Sequence, residues 1–145
     1  MSARMNEEVG RLWVAELRSG KWVQTKGKLG LANTNQRCCL GVLQECAQAA
    51  GVFGPEDVMV RVTSDGDLLG YREDPTKGRA WEEGVLSDKV QAWAALAEDN
   101  PTVFIPDEDE PDVDSRTSLA DLNDEGRSFA EIADLIESQL LGGAQ

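Results

Sequence analysis

The stretch Val58-Met59-Val60-Arg61-Val62-Thr63-Ser64-Asp65-Gly66-Asp67-Leu68-Leu69-Gly70-Tyr71-Arg72 reads as a β hairpin. Val58, Val60 and Val62 alternate with Met59, Arg61 and Thr63, the period of two that puts successive side chains on opposite faces of a strand. Asp65-Gly66 supplies the positive φ that a tight turn needs, and Leu68 to Arg72 returns.

Helical patterns flank the hairpin. On its N-terminal side, Val9, Leu12, Trp13 and Leu17 fall on one face of a helix over 6–18, stopped near Gly20. Lys21–Gln36 reads as an extended hairpin or loop. A second helix starts near Arg37 and runs to Ala50, with Leu40, Leu43, Ala47 and Ala50 as its apolar stripe and Gly51 as its end. On the C-terminal side, Glu73–Gly84, with Pro75, Gly78 and Trp81, reads as a loop holding a short strand. Ser87 caps a third helix whose face is Val90, Trp93, Ala94 and Ala97. Thr102 to Ile105 is a short strand and Pro106 to Asp114 an acidic loop. Ser118 with Asp121 caps a short turn of helix through Asn123, and Gly126 breaks it. Ser128 and Glu131 then form a capping box, followed by Phe129, Ile132, Ala133, Ile136 and Leu140 at helical spacing. Burying the four large side chains of that stripe is worth roughly 6–12 kcal/mol gross, so this helix belongs to the core. The expected class is α+β: one domain over residues 1–145, three to four helices packed on short antiparallel strands, with 1–5 and 142–145 frayed.

The chain has 145 residues and a net charge of −13. Residues 1–50 hold seven Lys/Arg and four Asp/Glu, net +3; residues 51–145 hold seven and 23, net −16. From Leu17 to Gln44 there is no Asp or Glu, while Arg18, Lys21, Lys26, Lys28 and Arg37 all fall inside. A cationic segment on an anionic body suggests a bound anion. Gly27 and Gly30 let backbone N–H groups approach a ligand, and the start of the second helix adds free N–H groups. Trp22 offers a stacking face and Gln24 a donor. The segment matches no phosphate-loop or dinucleotide fingerprint. The other destination for these cations is internal, in pairs with the acidic remainder of the same protein or of a second copy.

The absence of histidine removes Ser–His and Cys–His nucleophile pairs, His-ligated metals and the commonest acid–base catalyst near neutral pH. Cys38, Cys39 and Cys46 are odd in number and form no disulfide framework. The adjacent pair lies at a helix start beside Arg37, a setting that lowers a thiol pKa, but a catalytic thiol lacks a base and small buried cysteines are the default. The run Asp107–Asp114 has Pro111 and Asp112 where a calcium-binding loop needs a ligand and then glycine. Duplex nucleic acid is excluded for want of a broad basic surface. No segment approaches the ~20 apolar residues of a membrane span, and the polar start Met1 to Glu8 is not expected to act as a leader.

Three motifs, Trp13-Val14 … Leu17-Arg18-Ser19-Gly20-Lys21 … Gln24, then Cys38-Cys39-Leu40-Gly41-Val42-Leu43, then Leu119 … Leu122-Asn123-Asp124 … Gly126 … Ser128-Phe129 … Glu131-Ile132-Ala133, resemble a family of small proteins encoded by tailed phages and prophages. The resemblance covers both ends of the chain and leaves Gly51 to Asp114 unmatched. It carries no assigned chemistry. It implies a viral origin and expression in a bacterial host's cytoplasm, where small phage proteins counter host defences by sequestering nucleotide signals in homo-oligomers or by blocking host proteins with acidic surfaces.

The expected function is accordingly a non-enzymatic counter-defence protein, a homo-oligomer that captures a small phosphorylated nucleotide and uses no catalytic residue, metal or cofactor. Arg18, Lys21, Lys26, Lys28 and Arg37 neutralise phosphates, Gln24 donates hydrogen bonds, Trp22 stacks, and Asn123 and Asp124 read a ribose or base. The alternative is an acidic inhibitor of a host protein acting through Asp107–Asp114. A carboxylate–metal hydrolase is a third reading, weakened by the lack of a distinct carboxylate pair.

Overall fold

The computed structural model describes residues 5–73, 76, 80–107, 109–110 and 112–141. Termini 1–4 and 142–145, with the fraying expected of them, and the loop positions Pro75, Gly78, Glu108 and Pro111 lie outside the described residues. Met5, placed at the frayed end by the sequence reading, is buried.

Five α-helices occur among the described residues: α1 (Glu7–Arg18), α2 (Cys39–Ala49), α3 (Asp88–Trp93), α4 (Leu119–Asp124) and α5 (Phe129–Leu135), the last continuing as a wider helical turn over Ile136–Leu141. Seven short strands accompany them: β1 (Val23–Gln24), β2 (Gln36–Arg37), β3 (Val58–Thr63), β4 (Gly66–Arg72), β5 (Trp81–Glu82), β6 (Thr102–Pro106) and β7 (Asp114–Ser118). The strands form three small sheets: β1–β2, β3–β4–β5 and β6–β7. This is a single small α+β domain.

Three helices close on the caps that the sequence offers, while Ser87 stands at the cap position of α3 without a side-chain cap bond. Asn6 accepts the Val9 N–H, Ser118 the Asp121 N–H, and Ser128 and Glu131 form the reciprocal capping box. On α1 the buried face is Val9, Gly10, Trp13, Val14 and Leu17; Leu12 turns outward, 47% exposed. Phe129, Ile132, Ala133 and Ile136 are buried as their spacing requires, with Leu140 half-buried at the edge. α1 packs between α2 and α5, and α2 is backed by α3 and α4. Gly41 makes the close approach of α2 possible, because a Cβ there would stand 1.9 Å from the Leu29 carbonyl oxygen.

Four local expectations shift. The hairpin turn is Ser64-Asp65, since Thr63 pairs with Gly66, whose φ of 125° supplies the left-handed residue. The Thr63 hydroxyl sets this turn by accepting the Asp65 N–H and donating to the Gly66 carbonyl. The hairpin buries Leu69 and Tyr71 of β4, while Val60 and Val62 of β3 stay exposed because β3 is the edge strand and its tip runs past the core. β1 and β2 pair in parallel rather than as a hairpin. The C-terminal side of the acidic loop is strand β7, paired antiparallel with β6. Along β6, the Gln139 amide accepts the Phe104 N–H at 2.8 Å and donates to the Phe104 carbonyl at 2.7 Å.

Gly41→Ala is expected to cost at least ~3 kcal/mol, because the new methyl meets main chain that cannot step aside. Gly51→Ala, at φ 81° in open space, is expected to cost only about 1 kcal/mol. Urea denaturation of the two variants measures both.

Candidate functional site

Eight of the nine residues singled out in the sequence divide into three groups in space, and Arg18 stands apart from all of them. Asn123, Gln24 and Asp124 form an internal polar node. Asn123 is fully buried; its Oδ1 accepts from the Cys39 N–H (3.1 Å) and from Gln24 Nε2 (2.9 Å), and its Nδ2 donates to the Thr25 carbonyl (2.7 Å). Gln24 Nε2 also donates to the Arg127 carbonyl at 2.7 Å, and an Asp124 oxygen accepts the Gly27 N–H at 2.9 Å. The side chains of Asn123 and Gln24 are thereby spent on the protein itself. The start of α2, offered above as an anion cradle, is closed in the same way: Asn123 takes the Cys39 N–H and Cys38 Sγ accepts from Gly41 N.

The second group surrounds Trp22. Lys21 Nζ lies 5.4 Å and Arg37 Cζ 5.0 Å from the Trp22 ring centroid. Trp22 Nε1 donates to Glu16 at 2.8 Å, and Lys21 stands 3.8 Å from the same carboxylate. Arg37 is 7% exposed, paired with Glu45 at 2.9 Å, and its Nη1 donates to the carbonyls of Leu31, Thr34 and Gln36. It therefore organises its own loop. Arg18 faces elsewhere, bridging Asp134 (2.5 Å) and Glu137 (2.8 Å) from the end of α1 to the C-terminal helix, and the contact holds the Glu137 carboxyl below its ordinary range.

The five cations thus do not converge on one pocket. Arg18, Lys21 and Arg37 each have a carboxylate neighbour, which is the internal destination a strongly acidic chain provides. Lys26 and Lys28 form the third group. Among the described residues they are the only basic side chains with no carboxylate oxygen within 4.0 Å; Arg11, Arg61, Arg72, Lys89, Arg116 and Arg127 all have one. They flank Gly27, whose φ of 74° reverses the chain. Lys28 borders an open groove of about 420 Å³ lined in part by Gly27, Arg61, Leu68, Trp81 and Glu83. Glu83 is committed to Arg61 by two bonds of 2.8 and 2.9 Å. The sequence places Trp81 in a loop holding a short strand, which is β5, but outside the site; Lys-Gly-Lys with no acid nearby in sequence is the visible signal for this place.

All three thiols are free and buried. Burial pushes Cys38 up to about 11 and Cys46 up to about 12, and raises Cys39 well above its ordinary value. Desolvation outweighs the backbone N–H groups at the helix start, so the activated-thiol setting does not arise. Among the described residues no group of three His, Cys, Asp or Glu side chains stands close enough to hold a metal ion, and no helix is long and apolar enough to cross a membrane.

A small α+β domain with a helical core and three short sheets is the class that fold and site define. Residues 5–140 match the family model described as Domain of unknown function (DUF8296), and the chain belongs to that family. No curated protein and no solved structure matches the chain at a significant level.

Two outcomes follow for stability. Asn123→Ala strands three partners on two segments, the Cys39 N–H, Gln24 and the Thr25 carbonyl, and is expected to cost roughly 2–4 kcal/mol in urea denaturation. The thiols titrate higher folded than unfolded, so their contribution is complete below the ordinary thiol pKa of ~8.5 and is lost as pH climbs toward the folded values. The urea midpoint is therefore expected to hold from pH 7 to 8 and to fall steadily between about pH 9 and 11.

Proposed function

We propose that this chain is a non-catalytic binding protein that captures a small phosphorylated ligand at the Lys26-Gly27-Lys28 turn. The observation that carries this reading is the pair of lysines left without carboxylate partners in a protein of net charge −13, where the other described cations are matched. Two unmatched lysines two positions apart favour an anionic group, and the groove that Lys28 borders gives the rest of a ligand somewhere to lie. The stacking role passes from Trp22, which carries two cations, to Trp81, which borders the groove with Leu68 and carries one, Arg72 at 5.1 Å from its ring centroid. Lys26 lies toward the carboxyl end of α4, 3.9 Å from where a Gly126 Cβ would be. The tailed-phage resemblance makes bacterial nucleotide signals the class to screen, with sequestration in the host cytoplasm as the biological role and a homo-oligomer as the working form.

A second reading, an acidic surface that blocks a host protein, is favoured by Phe104 and Val113, 53% and 51% exposed beside the acidic β6–β7 loop.

Isothermal titration with a panel of nucleotide signals tests the first reading. A ligand that binds the native protein is expected to lose at least tenfold in affinity in Lys26→Gln/Lys28→Gln and to weaken with added salt. Binding unchanged by the double substitution removes this site. Pull-down with the acidic loop neutralised to Asn and Gln tests the second.

A further inference from the structure

A second cavity, apart from the Lys26–Lys28 turn, lies between the outer faces of α1 and α2. It measures about 420 Å³, within the range of small-molecule sites. Leu12, Ala15, Cys46 and Ala49 line its apolar part, and Leu12 is 47% exposed there although α1 has an otherwise well-formed buried face. Its polar part is made by Glu16, Glu45, Lys21 and the Trp22 ring.

The polar part is built to hold an ammonium. Trp22 is fixed by its N–H bond to Glu16 Oε1, and Lys21 Nζ sits 5.4 Å from the ring centroid and 3.8 Å from that oxygen. A cation near an indole face with a carboxylate beside it is a favourable arrangement. Lys21 fills it loosely: its side chain is 62% exposed and its contact with Glu16 is long. Glu45 adds a second carboxylate, one oxygen of which is taken by Arg37. The raised pKa of Cys46 reports the same field, since after burial its largest causes are Glu16 and Glu45.

We propose that this cavity binds a small amphipathic amine, a primary ammonium on a short alkyl or aryl chain. Its chain covers Leu12, Ala15 and Ala49, and its ammonium replaces that of Lys21 between Trp22 and Glu16. The charge at this site is opposite to that required at the Lys26–Lys28 turn, so either can fail without the other.

Hexylamine, 1-hexanol and hexanoate are the probes, titrated into the native protein in 0.15 M salt. The readout is the Trp22 indole N–H signal in ¹H–¹⁵N spectra, identified by its loss in Trp22→Phe. Hexylamine is expected to shift this signal saturably and to bind at least ~3-fold tighter than 1-hexanol, with hexanoate weakest. Lys21→Ala, which removes the tethered competitor, is expected to tighten hexylamine severalfold. Lys89→Ala, the same charge change at a cation paired with Asp57, leaves it unchanged. Glu16→Gln retains the acceptor for Trp22 and is expected to weaken hexylamine. Equal binding of hexanol and hexylamine, preference for hexanoate, equal effects of Lys21→Ala and Lys89→Ala, or no response of the Trp22 signal each overturns the proposal.

Discussion

The fold depends on one buried amide. Asn123, at the end of α4, bonds both to the start of α2 and to strand β1 with its following residue Thr25. A polar group of this kind is costly unless satisfied, and satisfied it fixes one arrangement of the segments around it. Trp13 adds a second pin, its indole N–H donating to the Cys39 carbonyl at 2.9 Å. The three motifs that are separated in sequence are therefore one object in space: α1 through Trp13, the start of α2 through Cys39 and Gly41, and α4 through Asn123. The bonds that these residues make join segments of the fold.

Charge is distributed by the same economy of neighbours. A chain with 27 acidic and 14 basic residues tends to surround its cations with carboxylates. Arg37 is the extreme case, with its guanidinium buried and shared among Glu45 and three carbonyls, and the planar fork of arginine suits that task better than the point charge of lysine. Against this background, the exceptions carry the information. One turn keeps two lysines unmatched, and one cavity sets carboxylates beside an indole.

Much of the fold was legible in the sequence, because its signals were local. Ser128 with Glu131, Ser118 with Asp121 and Gly51 after α2 act over three or four residues, and the Phe129–Ile136 stripe keeps one helical spacing. Strand β7 was hidden because Asp114-Ser115-Arg116-Thr117-Ser118 has no apolar alternation; its partner β6 makes it a strand. The site was less legible for a related reason. Gln24 and Asn123 are 99 positions apart, and nothing in an isolated Asn distinguishes a ligand contact from a buried staple. The cationic run was real as composition, but Glu16 and Glu45 lie just outside its boundaries and fold back on it. Only Lys26 and Lys28 kept the freedom that the run as a whole seemed to offer.

The Gln139 side chain presents a carbonyl and an amino group to Phe104 with the spacing of a peptide unit, and so stands in for a neighbouring strand along β6. A ribbon margin fastened in this way has no main-chain groups left at Phe104 for a passing chain to latch onto. The C-terminal turn thereby serves as a selvedge: it finishes the fabric of the small sheet and shields a crowded, newly made population of molecules from stitching themselves together at that seam.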